Sequence, residues 1–377
     1  MPKVSVILTS FNHAKYLREA IDSALNQTFT DFELIIWDDA SSDDSWEIIQ
    51  GYQDPRIKAF RNDVQRRGIY GINKAISEVA QGEYIAIHHS DDVWEPEKLE
   101  KQVAFLDSHA DIGAVFTNAL AIDEESAPFK DEGHFYFKVF DQPNRSRHEW
   151  LRHFFEKGNA LCHPSVLIRK QCYEDCGLYR YGLGQLGDFD MWVRLALQYE
   201  IYVLPEKLVR FRVRENEANT SGSRPETRSR GLYEYSLILN HYLQINTLDD
   251  LVKVFPEALK FCGGDNPNLR YALAMAILEI RPFYFTIQFA LNLLFEILND
   301  PAQRNFFVFD SKDFIKLTGE LDPIRIRQFE ELTQTVSERD GQIASLNQAI
   351  QGIYSSKSWR VTTPLRMVGK YFKRGFE

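Results

Sequence analysis

The segment AIHHSDDVWEP, residues 86–96, decides how this sequence is read. It closes an apolar, β-prone run, Glu83-Tyr84-Ile85-Ala86-Ile87, that follows the turn residue Gly82. The run stops at Ser90-Asp91-Asp92. Beyond it Pro96 suits the first position of a helix, and Glu97, Lys98, Leu99 and Glu100 are helix formers. Two adjacent carboxylates at the C-terminal tip of a buried strand are costly unless a cation or hydrogen-bond donors face them. In open α/β sheets that tip is where ligands sit, and a hard divalent metal carrying a phosphate fits there. A solvated loop capping a helix is the plain alternative.

Upstream the same pattern repeats. Residues 3–9 read as a buried strand and Ser10-Phe11-Asn12-His13 as a polar turn. Tyr16, Leu17, Ala20, Ile21, Ala24 and Leu25 then mark one face of a helix. Residues 32–37 are a second strand ending in Asp38-Asp39, residues 57–60 a third, and residues 68–80 a helix. This alternation predicts a mainly parallel sheet of strand–helix–strand units. The pairs Asp38-Asp39 and Asp91-Asp92 then share its C-terminal edge, one acidic crevice built from two distant segments.

Downstream, a helix over 99–106 leads to a strand over 114–122. Residues 126–144 are aromatic without a clear period, a loop or lid. A helix over 150–155 and a strand over 163–168 follow. Gly182, Gly184 and Gly187 give a flexible approach to Asp188, which heads a helix whose apolar face holds Trp192, Leu195 and Ala196. Residues 202–204 and 208–214 read as two last strands, with Arg210, Arg212 and Arg214 alternating on one face.

From 232 to 300 the pattern is helical. Thr247 and Asp250 are spaced as a capping box, and Asn266-Pro267 reads as an N-cap with Pro at the first helical position. Residues 282–298 are apolar but carry Gln288, Asn292 and Glu296 at i+4 spacing. They are short of the ~20 residues a bilayer requires, so they predict a core helix with one polar stripe. Phe329, Leu332, Val336, Arg339, Ile343, Leu346, Ile350 and Ile353 alternate spacings of three and four, a heptad seam interrupted once by Arg339. The expected domains are 1–225, 226–322, a coiled coil over 323–354 and a basic tail over 355–377.

Composition agrees with a soluble globular chain: 377 residues, 44% hydrophobic, 26% charged, net charge −10. That charge argues against a general nucleic-acid binder. It is unevenly spread, because from Lys357 onward six basic residues face one acidic. Cys162, Cys172 and Cys176 lie near His163, but the C-x3-C spacing has no matching pair. Buried thiols in a reducing cytosol are therefore the plainer reading than zinc. The chain enters directly as a strand, with no signal peptide expected.

Four motifs in order, VSVILTSFN at 4–12, IIWDDASSDDS at 35–45, SDDVWEPEKLEKQ at 90–102 and GDFDMWVRL at 187–195, resemble the inverting family 2 glycosyltransferases of the GT-A fold. The resemblance covers the first ~215 residues, a span within the usual domain range. It implies a Rossmann-like nucleotide-sugar-binding domain. It implies that Thr9, Phe11 and Asn12 line the base and ribose pocket, with Asp38, Asp39 and Ser90 beside them and uracil the favoured base. Asp91 would hold Mn or Mg on the donor diphosphate, with Asp92 next to it, and Asp188 would be the general base. Asp190 would brace its helix, and Asn73 would face the phosphates.

Two positions depart from the family. His89 stands where relatives often have an Asp, and imidazole suits Mn better than Mg. Many relatives carry a His after the last strand, where this chain has Arg212 and Arg214. Together with His89 and His163 these are expected around the diphosphate and acceptor. The tail, SSKSWRVTTPLRMVGKYFK at 355–373, resembles the C-terminal segment of bacterial enzymes that assemble O-antigen or capsular polysaccharide, and suits an interfacial helix on an anionic membrane.

The resemblance thus implies a nucleotide-sugar donor and a saccharide or lipid-linked acceptor. With the seam and tail, it implies a dimer or trimer held peripherally at the inner face of the cytoplasmic membrane. A catalytically inactive scaffold of the same fold is the alternative that His89 keeps open. A sugar nucleotidyltransferase would need an N-terminal Gly-rich signature that residues 9–14 do not have.

Overall fold

The computed structural model describes residues 1–263, 267–301, 309–322 and 325–362. The chain divides into two compact units, Met1–Phe307 and Val308–Glu377.

In the first unit the elements run β1 (Val4–Ser10), α1 (Ala14–Leu25), β2 (Phe32–Asp38), α2 (Ser45–Gln50), β3 (Ile57–Arg61), α3 (Gly68–Lys74), β4 (Tyr84–His89), β5 (Val93–Trp94), α4 (Lys98–Ser108) and β6 (Ile112–Ile122). Then come α5 (Arg147–Lys157), β7 (Leu167–Arg169), α6 (Lys170–Cys176), α7 (Gly187–Ala196) and β8 (Glu200–Arg212). Four helices close the unit: α8 (Pro225–Ile238), α9 (Leu248–Val254), α10 (Leu269–Ile280) and α11 (Tyr284–Asn299).

The eight strands form one sheet in the order β3-β2-β1-β4-β7-β6-β8-β5. The β3-β2-β1-β4 half is parallel throughout, as the apolar runs require of strands covered on both faces. Register places Ser10 opposite Asp38 and Thr9 opposite His89, so the tips of β1, β2 and β4 end together. Gly82 lets β4 start tight against β1, because a Cβ there would lie 2.5 Å from the Ser5 nitrogen. The face of α1 read from sequence is buried at Tyr16, Leu17, Ala20, Ile21 and Ala24.

Several elements differ from the sequence reading. Residues 163–165 form a 3-10 turn, and only Leu167–Arg169 are a strand, antiparallel to β4 and β6. The two expected last strands are one, β8, which runs through Pro205. The helix over 68–80 finishes as a π turn, Ala75–Val79. Pro96 lies outside α4, whose N-cap is Glu97.

α8 to α11 pack within the first unit. Tyr242 donates to the Leu151 carbonyl at 2.8 Å, and Arg152 grips Glu257 at 2.7 and 2.8 Å. On α11, Gln288, Asn292 and Glu296 are exposed and Leu291, Leu294 and Ile297 buried, as the polar stripe predicts. Asn266 lies outside the described residues. The N-cap of α10 is Asn268, whose side chain accepts from the Tyr271 N–H. Among the described residues no helix is long and apolar enough to cross a membrane.

The second unit contains α12 (Ser311–Leu321), α13 (Ile326–Ser355) and the short α14 (Lys357–Val361). α13 is one unbroken helix of 30 residues, and the seam residues Phe329, Leu332, Val336, Ile343, Leu346, Ile350 and Ile353 are all exposed on it. Of the tail, residues 363–377 lie outside the described residues.

Candidate functional site

The tips of β1, β2 and β4, the approach to α7 and the end of β8 supply the candidate site. Backbone strain marks the edge formed by the β1 and β2 tips. Asn12 (φ 53°), Ala40 (φ 61°) and Arg67 (φ 72°) all sit in the left-handed region that non-glycine residues avoid. Each follows a strand tip or precedes α3.

Asp39 is buried and organises that side. Its carboxylate accepts from Asn62 Nδ2 at 2.7 Å and from the backbone N–H groups of Arg66 and Arg67 at 2.8 and 2.7 Å. Asn62 in turn accepts from Trp37 Nε1, and the Trp37 ring stacks on Phe60. Asp38 accepts from the Ser41 N–H at 3.0 Å, while its Oδ1 and the neighbouring Ser10 Oγ are buried without a partner. Asn12 accepts from the Ser42 N–H at 2.8 Å, which folds the β1 turn onto the loop after β2. Thr9, Phe11 and Asn12 are half-buried to exposed at the same edge.

At the tip of β4, His89, Asp91 and Asp92 hold their ligand atoms within 4.8 Å of one another, the one cluster of this kind among the described residues. Asp92 is 2% exposed. Its Oδ1 accepts the Arg212 N–H at 2.8 Å, while its Oδ2 has no hydrogen-bond partner and lies 3.4 Å from His89 Nδ1. Burial pushes the Asp92 carboxyl up. Burial works against a charged His89, but the Asp92 carboxylate 3.4 Å away and the other carboxylates around it hold its pKa above the usual value. A buried carboxylate oxygen left unpaired beside two further donor groups is the chemistry a divalent cation satisfies, so these residues fit one.

The arginines divide. Arg212 is buried and engaged throughout. Its Nε donates to the Asp91 carbonyl (2.7 Å), Nη1 to the Asp123 carbonyl (2.8 Å), and Nη2 to Glu19 (2.7 Å) and Ser126 (3.0 Å). It therefore braces the Asp91-Asp92 turn. Arg212→Met should lower folding stability by on the order of 3 kcal/mol, because it strips partners from a buried charge network. Thermal melting of the nucleotide-free protein checks this, and an unchanged melt would return Arg212 to the binding face. Arg214 lies over Tyr16, keeps a buried Nε without partner, and meets His13 Nε2 at 3.0 Å. His13 Nδ1 lies 2.8 Å from the hydroxyl of buried Ser90 and 3.9 Å from Asp91. His13, on the turn after β1, was not singled out by the sequence reading as a site residue.

Asn73, which the resemblance set toward the phosphates, is engaged within the protein. It is buried, and its amide pairs with the backbone of Tyr179 in both directions, 2.8 and 3.1 Å. His163 contacts His89 at 3.2 Å and the Tyr179 hydroxyl at 2.9 Å. Cys162 and Cys172 are buried free thiols, as expected.

Asp188 lies in the first turn of α7. Asn159 Nδ2 donates to its Oδ2 at 2.9 Å and the Phe189 N–H to its Oδ1 at 2.7 Å. Burial raises its pKa to about 6, the value suited to a group that takes a proton near neutrality. Asp188 and His89 are close enough that each perturbs the other's charge. Asp190 braces α7, as expected, through Arg194 (2.9 Å), His241 (2.7 Å) and Arg180 (3.2 Å). The approach loop is held from α8: buried Glu234 accepts three consecutive backbone N–H groups, from Gly184, Gln185 and Leu186, at 2.7–2.9 Å. Neither Asn159 nor Glu234 is marked by any local sequence signal.

The model of Glycosyl transferase family 2 matches residues 5–171. The chain is similar to an uncharacterised glycosyltransferase, MJ1057, of Methanocaldococcus jannaschii, at 30% identity over 246 residues, 64% of this chain and 80% of that protein. It is similar to the UDP-Glc:alpha-D-GlcNAc-diphosphoundecaprenol beta-1,3-glucosyltransferase WfaP of Escherichia coli, at 36% identity over 108 residues, 29% of this chain and 43% of that protein. Its fold is similar to the crystal structure of S. aureus TarS 1-349 in complex with UDP-GlcNAc, with a TM-score of 0.55 at 18% identity, over 86% of this chain and 92% of that one.

Proposed function

This chain belongs to glycosyl transferase family 2, and on that premise we propose that it moves a sugar from a UDP-linked donor to a saccharide or lipid-linked acceptor, with inversion, in building a surface polysaccharide. The observation that carries this reading is the meeting, at one sheet edge, of the His89, Asp91 and Asp92 cluster with a buried carboxylate, Asp188, raised to about 6. The similarity to WfaP, a glucosyltransferase that uses UDP-Glc and a diphosphoundecaprenol-linked sugar, supports a UDP-sugar donor and a diphospholipid-linked acceptor.

In this reading Thr9, Phe11, Asn12, Asp38 and Asp39 receive the base and ribose. The unpartnered Ser10 hydroxyl, which can donate or accept, and Asp38 Oδ1, which accepts, support that. Arg214 and His13 face the diphosphate. Arg212 orients the Asp91-Asp92 turn. A divalent cation held by Asp91, Asp92 and His89 would neutralise the leaving diphosphate. Asp188 accepts the proton of the acceptor hydroxyl, and Asn159 aims its carboxylate. One carboxylate and a direct displacement give inversion at the anomeric carbon.

Two results follow. Asp188 must be ionised to act, so kcat/KM should fall about tenfold per pH unit below about pH 6 and level off above it. A flat profile from pH 5 to 8 would remove Asp188 from the role. Because an imidazole stands in the metal cluster, Mn should support UDP binding better than Mg. Calorimetry with UDP in Mn, in Mg and in chelator tests this, and equal affinity in all three would shift the diphosphate to Arg214 and His13 alone. A panel of nucleotide sugars identifies the donor. Absence of transfer and of donor hydrolysis across that panel would favour the inactive-scaffold reading that His89 supports.

We further propose that the exposed seam of α13 pairs chains into a dimer or trimer. The basic, aromatic tail would hold the assembly at the inner face of the cytoplasmic membrane, near lipid-linked acceptors. Seven exposed apolar residues at heptad spacing on one helix support the pairing.

A further inference from the structure

His89 opens a line of hydrogen-bonding groups that runs away from the metal cluster into the protein. His89 Nε2 lies 3.2 Å from His163 Nδ1, His163 Nε2 lies 2.9 Å from the Tyr179 hydroxyl, and that hydroxyl lies 3.3 Å from the hydroxyl of Tyr173. The far end is closed: Tyr179 and Tyr173 are 2% and 3% exposed. Tyr179 is also fixed by its backbone, which Asn73 holds on both sides.

Each neighbouring pair shares one hydrogen, and a neutral imidazole carries one N–H. The two imidazole hydrogens therefore point the same way, and the Tyr179 hydroxyl, a donor with acceptor lone pairs, serves either direction. Pointing from Tyr173 toward His89, they make His89 Nε2 an acceptor and leave the hydrogen on Nδ1, the nitrogen that faces Asp92 Oδ2 at 3.4 Å. Pointing from His89 toward Tyr173, they place the hydrogen on Nε2 and a lone pair on Nδ1. Only the second direction offers a metal ligand, since a metal-bound nitrogen must be unprotonated and its ring partner sets which nitrogen that is.

We propose that His163, Tyr179 and Tyr173 act as positioning residues that present His89 Nδ1 to the divalent cation, so that His89 is a ligand in place of an aspartate. This rests on the metal reading above and extends it to three residues beyond the His89, Asp91 and Asp92 cluster. Tyr179→Phe removes the acceptor for His163 Nε2–H in the metal-presenting direction. That leaves a buried N–H unpaired, which is worse tolerated than the unpaired acceptor it leaves in the other direction.

The test uses the full chain and Mn2+ alone, titrated by the loss of the free-ion paramagnetic resonance signal. Tyr179→Phe should weaken Mn2+ binding about tenfold, the usual scale for losing an outer partner of a ligating histidine. In a His89→Asp background, where the ligand no longer draws on the relay, the same substitution should leave affinity unchanged. Tyr173→Phe, which removes only the terminal hydroxyl, should give a smaller loss in the same direction, and it decides the matter if Tyr179→Phe fails to fold. A change of less than twofold for both tyrosine variants would overturn the relay while leaving the metal site standing. So would an equal loss in the His89→Asp background, which would mark the effect as structural. No Mn2+ binding by the unaltered protein would overturn the metal reading and the relay together.

Discussion

Asp188→Asn should lower turnover by roughly a hundredfold or more, the scale of losing a general base, while UDP affinity stays within a few fold. Asparagine keeps the size of the side chain and can still meet Asn159 and the Phe189 N–H. What it lacks is a place for the acceptor's proton. A second measurement separates this from damage. An unfolded Asp ionises near 3.9, whereas folded Asp188 is raised to about 6 by burial. The unfolded chain therefore loses its proton first, so stability falls as pH rises between these values and stays reduced above them. Asparagine carries no such penalty, so at pH 8 the variant should melt no lower than the parent. Turnover within a few fold of the parent would defeat the assignment. A large activity loss with a lower melting temperature at pH 8 would point to misfolding instead.

Removing residues 323–377 should convert the assembly to a monomer and abolish its sedimentation with anionic vesicles, while UDP-sugar hydrolysis persists. The seam residues of α13 are 44–71% exposed in the single chain, among them Phe329, Ile343 and Leu346. Apolar heptads bury such surface by pairing with another helix. Arg339 sits within the seam and would restrict register by reaching outward or meeting an acid of a neighbouring chain. Joining several weakly basic tails at one end of a bundle raises membrane avidity without any new contact. Light scattering that finds an unchanged oligomer after truncation would sink the pairing. Vesicle binding that survives loss of residues 355–377 alone would sink the membrane role and leave pairing intact.

What the sequence could and could not disclose follows from the range of the forces involved. β1, β2 and β4 are apolar runs closed by polar residues, so their extent and the placing of Asp39 and Asp91 at one edge were legible from local pattern. β8 was not read as one strand because Pro205 looks like a breaker. The structure tolerates it where the β6 register shifts, between Thr117 and Asn118, and Asn118 Nδ2 donates to the Pro205 carbonyl at 3.1 Å. Arg212 was read as a phosphate ligand because a guanidinium suits phosphate, and Asn73 because the family resemblance set it there. Those same donors serve backbone carbonyls equally well, and only tertiary contact decides between the two. His13, Asn159 and Tyr179 reach the site from segments that look like a turn, a helix exit and a loop.

The tie from Glu234 on α8 to three successive amides of residues 184–186 bears on how this protein can be re-engineered. Acceptor preference in such enzymes invites chimaeras, and the end of β8 at Arg212 looks like a natural seam for a crossover. A crossover there would exchange the residue that sets the loop leading into Asp188. A hybrid that imports foreign helices without an acid at this position would keep the residues of the strand tips and yet lose the tie that sets the loop leading into Asp188. The exchangeable module therefore ends after α8, not before it, and libraries that vary the helical segment should hold Glu234 fixed.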